Sequence, residues 1–323
     1  MQRRKLLACL AGAALAALTP YAQAKSEAYP DKPIRLIVPF PPGGSVDYVA
    51  RTISQRFAQA IGQTVIIDNK GGASGTIGTQ EVARADADGY TLLLVFDSHA
   101  VNQSLYDIKY DTFQSFDYIG LIGTMPVALV TSKKSGLESV DAVLEAAKAA
   151  PGTLNYGSSG VGGSNHLNAL AFARMAGVDI THVPYRGGGP MLTALLGGEV
   201  DMVVASLPTV IGYAQTDRAN VLAIGSKSPV EQLPSAPIIA ESVPDYEARS
   251  WVGMLAPAGL PEHVREHVGR ALRETLEDPE VTARMERDGF QIVNSDGTEF
   301  EEMVRAETAR WAALIQQEGI KVE

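Results

Sequence analysis

The chain predicts an α/β protein made of strand, small-residue turn and helix units laid around a largely parallel sheet. Three observations carry that class. Residues 34–38, Ile-Arg-Leu-Ile-Val, run through a Pro-Gly turn into a helix with Val46, Val49, Ala50, Ile53, Phe57 and Ile61 at steps of three and four. Residues 154–176 repeat the arrangement, from Leu154-Asn155-Tyr156 through a Gly/Ser run to a helix with Leu167, Leu170, Ala171 and Met175 on one face. Between and beyond these units, strand-like and helix-like segments alternate, the mark of layered α/β folds.

In the first unit Pro39, Pro41 and Pro42, with Pro33 upstream, fix φ and remove N–H donors. Gly43 and Gly44 then let backbone approach whatever lies beyond the turn. Gly62 stands where a helix C-cap belongs. The first amides of a helix have no internal partner and carry partial positive charge, so residues 41–45 are expected to form an anion cradle made of backbone. The second unit echoes it, with Ser158, Ser159 and Ser164 adding hydroxyl donors to the bare amides. In open α/β sheets ligands sit beyond the carboxyl ends of strands, so the two turns are expected to face each other across a cleft.

Further strands are expected at 64–68, 91–95, 118–121, 127–131, 180–183, 201–204 and 221–224. Helices are expected at 75–83, 140–149, 165–176, 190–196 and 261–277. Thr298 and Glu301 read as a capping box ahead of a last helix carrying Phe300, Met303, Val304, Trp311, Leu314 and Ile315 on one stripe. Crossings between two domains are expected near 123–126 and 225–250, the latter rich in Pro and Ser.

The N-terminus is read apart from the fold. Arg3, Arg4 and Lys5 precede an apolar run from Leu6 to Leu18, and Ala22-Gln23-Ala24 supplies a small-residue cleavage site: residues 1–24 read as a secretory signal peptide. The arginine pair leaves Sec and twin-arginine export both open. The single cysteine, Cys9, lies in this segment, so the mature chain needs no disulfide and thiol catalysis is excluded. A formal net charge of −10, more negative once the basic leader is removed, argues against nucleic acid, which demands a basic surface. It leaves room for a small anionic ligand, because local amides can outweigh a diffuse, screened charge.

Catalytic patterns are thin. His263-Val264-Arg265-Glu266-His267 matches an inverted zinc-protease pattern without the further ligands zinc needs. Gly157-Ser158-Ser159-Gly160-Val161 fails the serine-hydrolase elbow at its fifth position. No cofactor fingerprint is present, no metal ligands are assigned, and the chain is expected not to be an enzyme.

Five motifs in register then carry a resemblance. They are Tyr29-Pro30-Asp31-Lys32-Pro33-Ile34-Arg35-Leu36-Ile37-Val38-Pro39-Phe40-Pro41-Pro42-Gly43-Gly44 with Asp47; Asp88-Gly89-Tyr90-Thr91-Leu92-Leu93; Tyr156-Gly157-Ser158-Ser159-Gly160 with His166-Leu167; His182-Val183-Pro184-Tyr185-Arg186-Gly187; and Trp251-Val252-Gly253 with Ala256-Pro257-Ala258-Gly259. Over nearly the whole mature chain the sequence resembles the Bug family, the periplasmic receptors of tripartite tricarboxylate transport systems. The resemblance implies a two-lobed type II periplasmic-binding-protein fold, each lobe a mixed, mostly parallel sheet flanked by helices. On this reading residues 25–124 with 226–323 form lobe I and 125–225 form lobe II.

It also implies a monomeric, exported receptor that captures a small carboxylate, such as a di- or tricarboxylate, for an inner-membrane tripartite permease. A periplasmic serine hydrolase and a ligand sensor feeding a signalling partner stay open as alternatives. The cleft is expected to draw on Phe40, Pro41, Pro42, Gly43, Gly44, Ser45 and Asp47 from the first turn. Ser98 and Asn102 follow the third strand, and Ser158, Ser159, Gly160, Ser164 and His166 come from the second turn. Tyr185, Arg186 and Ser206 complete the set; His182 is taken as structural. Where relatives often read Phe-Asp-Asn-Leu-Pro, this chain reads Val204-Ala205-Ser206-Leu207-Pro208, and Asn102-Gln103 stands where they often read Asn-Pro. The lost acid favours a plain organic acid over an amino acid.

Overall fold

The computed structural model describes residues 29–321; the signal-peptide segment, its cleavage site and Cys9 lie outside the described residues. Its strands are β1 (Ile34–Val38), β2 (Val65–Asn69), β3 (Thr91–Phe96), β4 (Phe116–Ser132), β5 (Asn155–Ser158), β6 (Thr181–Pro184), β7 (Met202–Ser206), β8 (Ala219–Ile224), β9 (Arg249–Pro257) and β10 (Gln291–Ile292). They form one mixed sheet in the order β2-β1-β3-β9-β4-β7-β5-β6, with β8 and β10 also paired to β4. Pairing is parallel towards either end, β1 with β2 and β3, β5 with β6 and β7. It is antiparallel about β4 in the centre. Helices flank the sheet: α1 (Ser45–Ile61), α2 (Thr76–Ala83), α3 (His99–Leu105), α4 (Val140–Ala149), α5 (Ser164–Ala176), α6 (Gly188–Gly197), α7 (Leu207–Gln215), α8 (Glu262–Leu276), α9 (Pro279–Arg287) and α10 (Gly297–Glu318).

Helix α1 shows how the sequence produces an element. Its apolar stripe (Val46, Val49, Ala50, Ile53, Phe57, Ile61) is buried, and Gly62 ends it in the left-handed region at φ 81°, as a C-cap glycine does without a Cβ penalty. The stripe packs on Ile34, Leu36, Leu92 and Met254 of the sheet and on Val268 and Leu272 of α8. Burying a side chain the size of Phe57 contributes about 1.5–3 kcal/mol. The other face of these strands turns Ile37, Leu93 and Val95 towards Trp251 and Phe300. Beyond the centre of the sheet, Val127, Leu129, Tyr156, Phe172, Met202 and Val204 form a separate cluster.

The structure corrects several expectations. The segments 118–121 and 127–131 are one strand, β4, whose first part pairs with β9 and whose second part pairs with β7 and β8. Its glycines misled the sequence reading: Gly120 and Gly123 sit at register shifts against β9, positions where a strand bends without ending. The last helix is capped not by Thr298 but by Asp296, whose side chain accepts from the Glu299 amide. The stretch 226–248, assigned to lobe I, carries Ile239, Val243, Tyr246 and Ala248 into the cluster of Leu129 and Phe172. Helices α3, α7 and α9 and strands β9 and β10 were not anticipated.

Candidate functional site

Beyond the carboxyl ends of the strands the two ends of the sheet meet at a cleft with two compartments sharing a wall of Phe40, Pro41 and Ser159. The inner one is small, about 40 Å³, and the outer about 680 Å³. Four helices begin at the inner compartment, which is lined by Ser45 and Val46 of α1, Asn165 of α5, Gly188, Met191 and Leu192 of α6, and Thr209 of α7. None of these four starts is capped by a side chain; their N-cap residues are Gly44, Gly163, Gly187 and Ser206. Of the other helices, α4, α9 and α10 are capped by Ser139, Asp278 and Asp296, while α2, α3 and α8 also start without a side-chain cap. First-turn amides left without intrahelical or side-chain partners are ready donors for an anion.

The side chains at the inner compartment are mostly engaged with one another. Ser159 donates to Asn165 Oδ1 (2.8 Å), and Asn165 Nδ2 donates to the Val204 carbonyl (2.8 Å). Ser45 Oγ and Ser206 Oγ lie 2.6 Å apart across the cleft. Whichever hydroxyl donates, the other keeps a proton for a ligand. Among the described residues, no charged residue lines this compartment, and Arg186 is the one charged residue lining the outer one. The cleft is thus free of lining carboxylates in a chain of net charge −10.

Of the residues expected from sequence, Phe40, Pro41, Pro42, Gly44, Ser45, Ser159, Gly160, Tyr185, Arg186 and Ser206 line the two compartments. Seven others do not. The Gly43 amide is already held by Asp47 Oδ2 at 3.0 Å. Asp47 itself is buried and bound by Arg51 and Asn69; burial raises its carboxyl, but these hydrogen bonds outweigh it and leave the pKa below the usual range. Ser98 and Asn102 both donate to the Ser74 carbonyl (3.0 and 3.2 Å), so they hold a neighbouring loop and do not face the cleft. Ser158 is fully buried, with its Oγ 2.6 Å from His182 Nε2. Its hydroxyl also meets the Gly160 backbone, a local brace for the turn. Ser164 turns inward towards the Asp97 carboxyl. His166 accepts the Gly162 amide on Nδ1 and stacks on His182 at 4.0 Å between ring centroids. Desolvation holds both rings neutral, down to about 3 for His166 and about 4 for His182.

Sequence reasoning missed Phe96, Asn165, Thr209, the start of α6 and the loop Gly71–Gly75 on the outer compartment. The loop carried a readable signal: Gly71-Gly72-Ala73-Ser74-Gly75 follows β2 and precedes a helix, the same strand, small-residue turn and helix pattern. The other motifs are occupied. His267 Nε2 lies 3.1 Å from the Ile61 carbonyl, and among the described residues no group of three or more His, Cys, Asp or Glu is placed to hold a metal.

A mixed α/β sheet with a cleft at its centre, ringed by helix starts, is the architecture of the periplasmic binding proteins to which this chain is similar. The periplasmic binding protein BugD superposes with a TM-score of 0.86 at 31% identity, over 91% of this chain and all of that one. The family model of the tripartite tricarboxylate transporter family receptor matches residues 49–320, and the chain belongs to that family. Two solved structures from Rhodopseudomonas palustris are also similar. Rpa4515 with adipate has a TM-score of 0.87 and 32% identity, covering 91% of this chain and all of that one. MatC with bound malate has a TM-score of 0.84 and 27% identity, covering 89% of this chain and all of that one.

Proposed function

We propose that this protein is a receptor that closes two lobes on a small carboxylate and delivers it to a tripartite permease. The observation that carries the reading is the convergence of four uncapped helix starts on one cleft with no lining carboxylate. An ammonium-bearing ligand would find no acid there, which favours a plain organic acid. Adipate and malate in the two similar structures support the same chemistry. We place the lobe crossings inside β4 and just before β9, so that residues 127–248 form the second lobe and the remainder the first, in keeping with the two sets of core residues. Export by the leader and cleavage near Ala24 belong to the same proposal.

Charge-assisted hydrogen bonds contribute roughly 1.5–3 kcal/mol each. Four or five amides therefore supply about 6–15 kcal/mol before ordering costs, against about 8 kcal/mol for micromolar affinity. The grip needs no buried arginine. The test is thermal melting of the chain purified from the periplasmic fraction, with adipate, malate, citrate, benzoate and a set of amino acids. At 100 times Kd a ligand adds about 2.7 kcal/mol to stability, so at least one carboxylate is expected to raise Tm by several degrees while amino acids do not. A flat response to every carboxylate sinks the reading, and a full-length intact mass removes the cleavage.

A further inference from the structure

The division of the cleft says more about the ligand than that it bears a carboxylate. At about 40 Å³ the inner compartment has room for a few water-sized groups, enough for a carboxylate and too little for a six-carbon acid. The body of such a ligand must pass Phe40 and Pro41 into the outer compartment, where Tyr106 and Tyr185 continue an apolar wall. At that end stands Arg186. Its backbone is anchored on both sides: the Tyr185 amide donates to the Ser158 carbonyl (2.9 Å) and the Gly187 amide to the Ser159 carbonyl (3.1 Å). Gly187 takes φ +107°, and a Cβ there would press on the Pro41 side chain at 3.1 Å, so the segment seals the seam between the two turns. The guanidinium, by contrast, is exposed and makes no ion pair or hydrogen bond among the described residues. A fixed backbone, an unengaged cation and a compartment without acids form half of a charge pair.

We propose that Arg186 is the specificity-determining residue for a second carboxylate, and that the ligand is a dicarboxylate with an apolar spacer, one acid group at the helix starts and the other on this guanidinium. The proposal rests on the carboxylate reading of the inner compartment. Arginine presents a planar fork that matches a carboxylate bidentately, which lysine does not.

Calorimetric titration of the mature protein with matched pairs, adipate against hexanoate and succinate against butyrate, tests it. The dicarboxylate of at least one pair is expected to bind at least about tenfold more tightly. Arg186→Gln is expected to bring that ratio to within about twofold by weakening the diacid several-fold more than the monoacid. Arg186→Lys should recover part of the ratio, and added salt should narrow it in the wild type, as a partly exposed pair is screened. A wild type that binds both members of each pair equally, or an Arg186→Gln variant that keeps the full ratio, overturns the assignment while leaving the carboxylate site standing. Failure of every acid to bind overturns both.

Discussion

Asp97, at the end of β3, is a buried carboxyl with one oxygen unpartnered. Burial pushes its pKa up to about 8, against the pull of the Ser250 and Ser164 hydroxyls and with the nearby Glu307 adding to the rise. An unfolded aspartate titrates near 3.9, so between about pH 4 and 8 the folded chain holds a proton that the unfolded chain has lost. Stability therefore falls as pH rises through that window and levels off above it. Asp97→Asn removes the loss. Its Tm relative to wild type is expected to climb with pH, exceeding it at pH 9 by at least about 2–4 °C, the shift for 1 kcal/mol in a chain of this class. Thermal melts at pH 4.5, 7 and 9 decide it, and an offset that ignores pH would show that the carboxyl is not the cause. His166 and His182 act with the opposite sign, their contribution being present above about pH 6.5 and lost as pH falls towards their folded values. Sequence offered these residues as a ligand contact and a strand histidine; that they stack beneath the second turn depends on two segments meeting.

At the scale of elements, an uncapped helix start trades stability for an open amide. Gly44 has φ −90° and ψ 177°, the extended geometry of an N-cap, and a Cβ there would meet nothing closer than the Pro41 carbonyl at 4.0 Å. Gly44→Asp is thus expected to cap α1, adding a few tenths of a kcal/mol to the unliganded protein, while occupying the amides and cutting carboxylate affinity by about tenfold or more. Denaturant melts paired with calorimetry measure both effects, and undiminished affinity would remove α1 from the site. The glycine-rich turns that open α1 and α5 were legible because strand, small-residue turn and apolar-periodic helix are local patterns. The start of α7 was not, since Leu207-Pro208 directly after β7 carries no glycine turn. Nor did local pattern reveal that Ser98 and Asn102 serve the loop at Ser74 rather than the cleft.

For the whole molecule, the proposed closure depends on contacts across the cleft. Ser74 Oγ (3.0 Å) and Tyr106 Oη (2.6 Å) both donate to the Val161 carbonyl, and Ser45 meets Ser206. A ligand shifts such an equilibrium only by what it gains in the closed arrangement, so these protein-protein contacts set how far closure is prepaid. Tyr106→Phe loses one hydrogen bond of about 0.5–1.5 kcal/mol; affinity is expected to fall about threefold to tenfold, with a larger radius of gyration in X-ray scattering at subsaturating ligand. Equal affinity and equal radius would mean that this pair of hydroxyls does not hold the closed state. From the sequence alone came the α/β class, the two glycine-rich turns, the family resemblance and the acidic, cysteine-poor composition, because each is written in local spacing or in totals. The path of β4 through both ends of the sheet, the seat of residues 239–248 in the second core, and the meeting of four helix starts at one small compartment were decided by tertiary structure. Those features depend on which distant segments pair and pack, and a strand that bends at glycine without ending looks, residue by residue, like two strands and a linker.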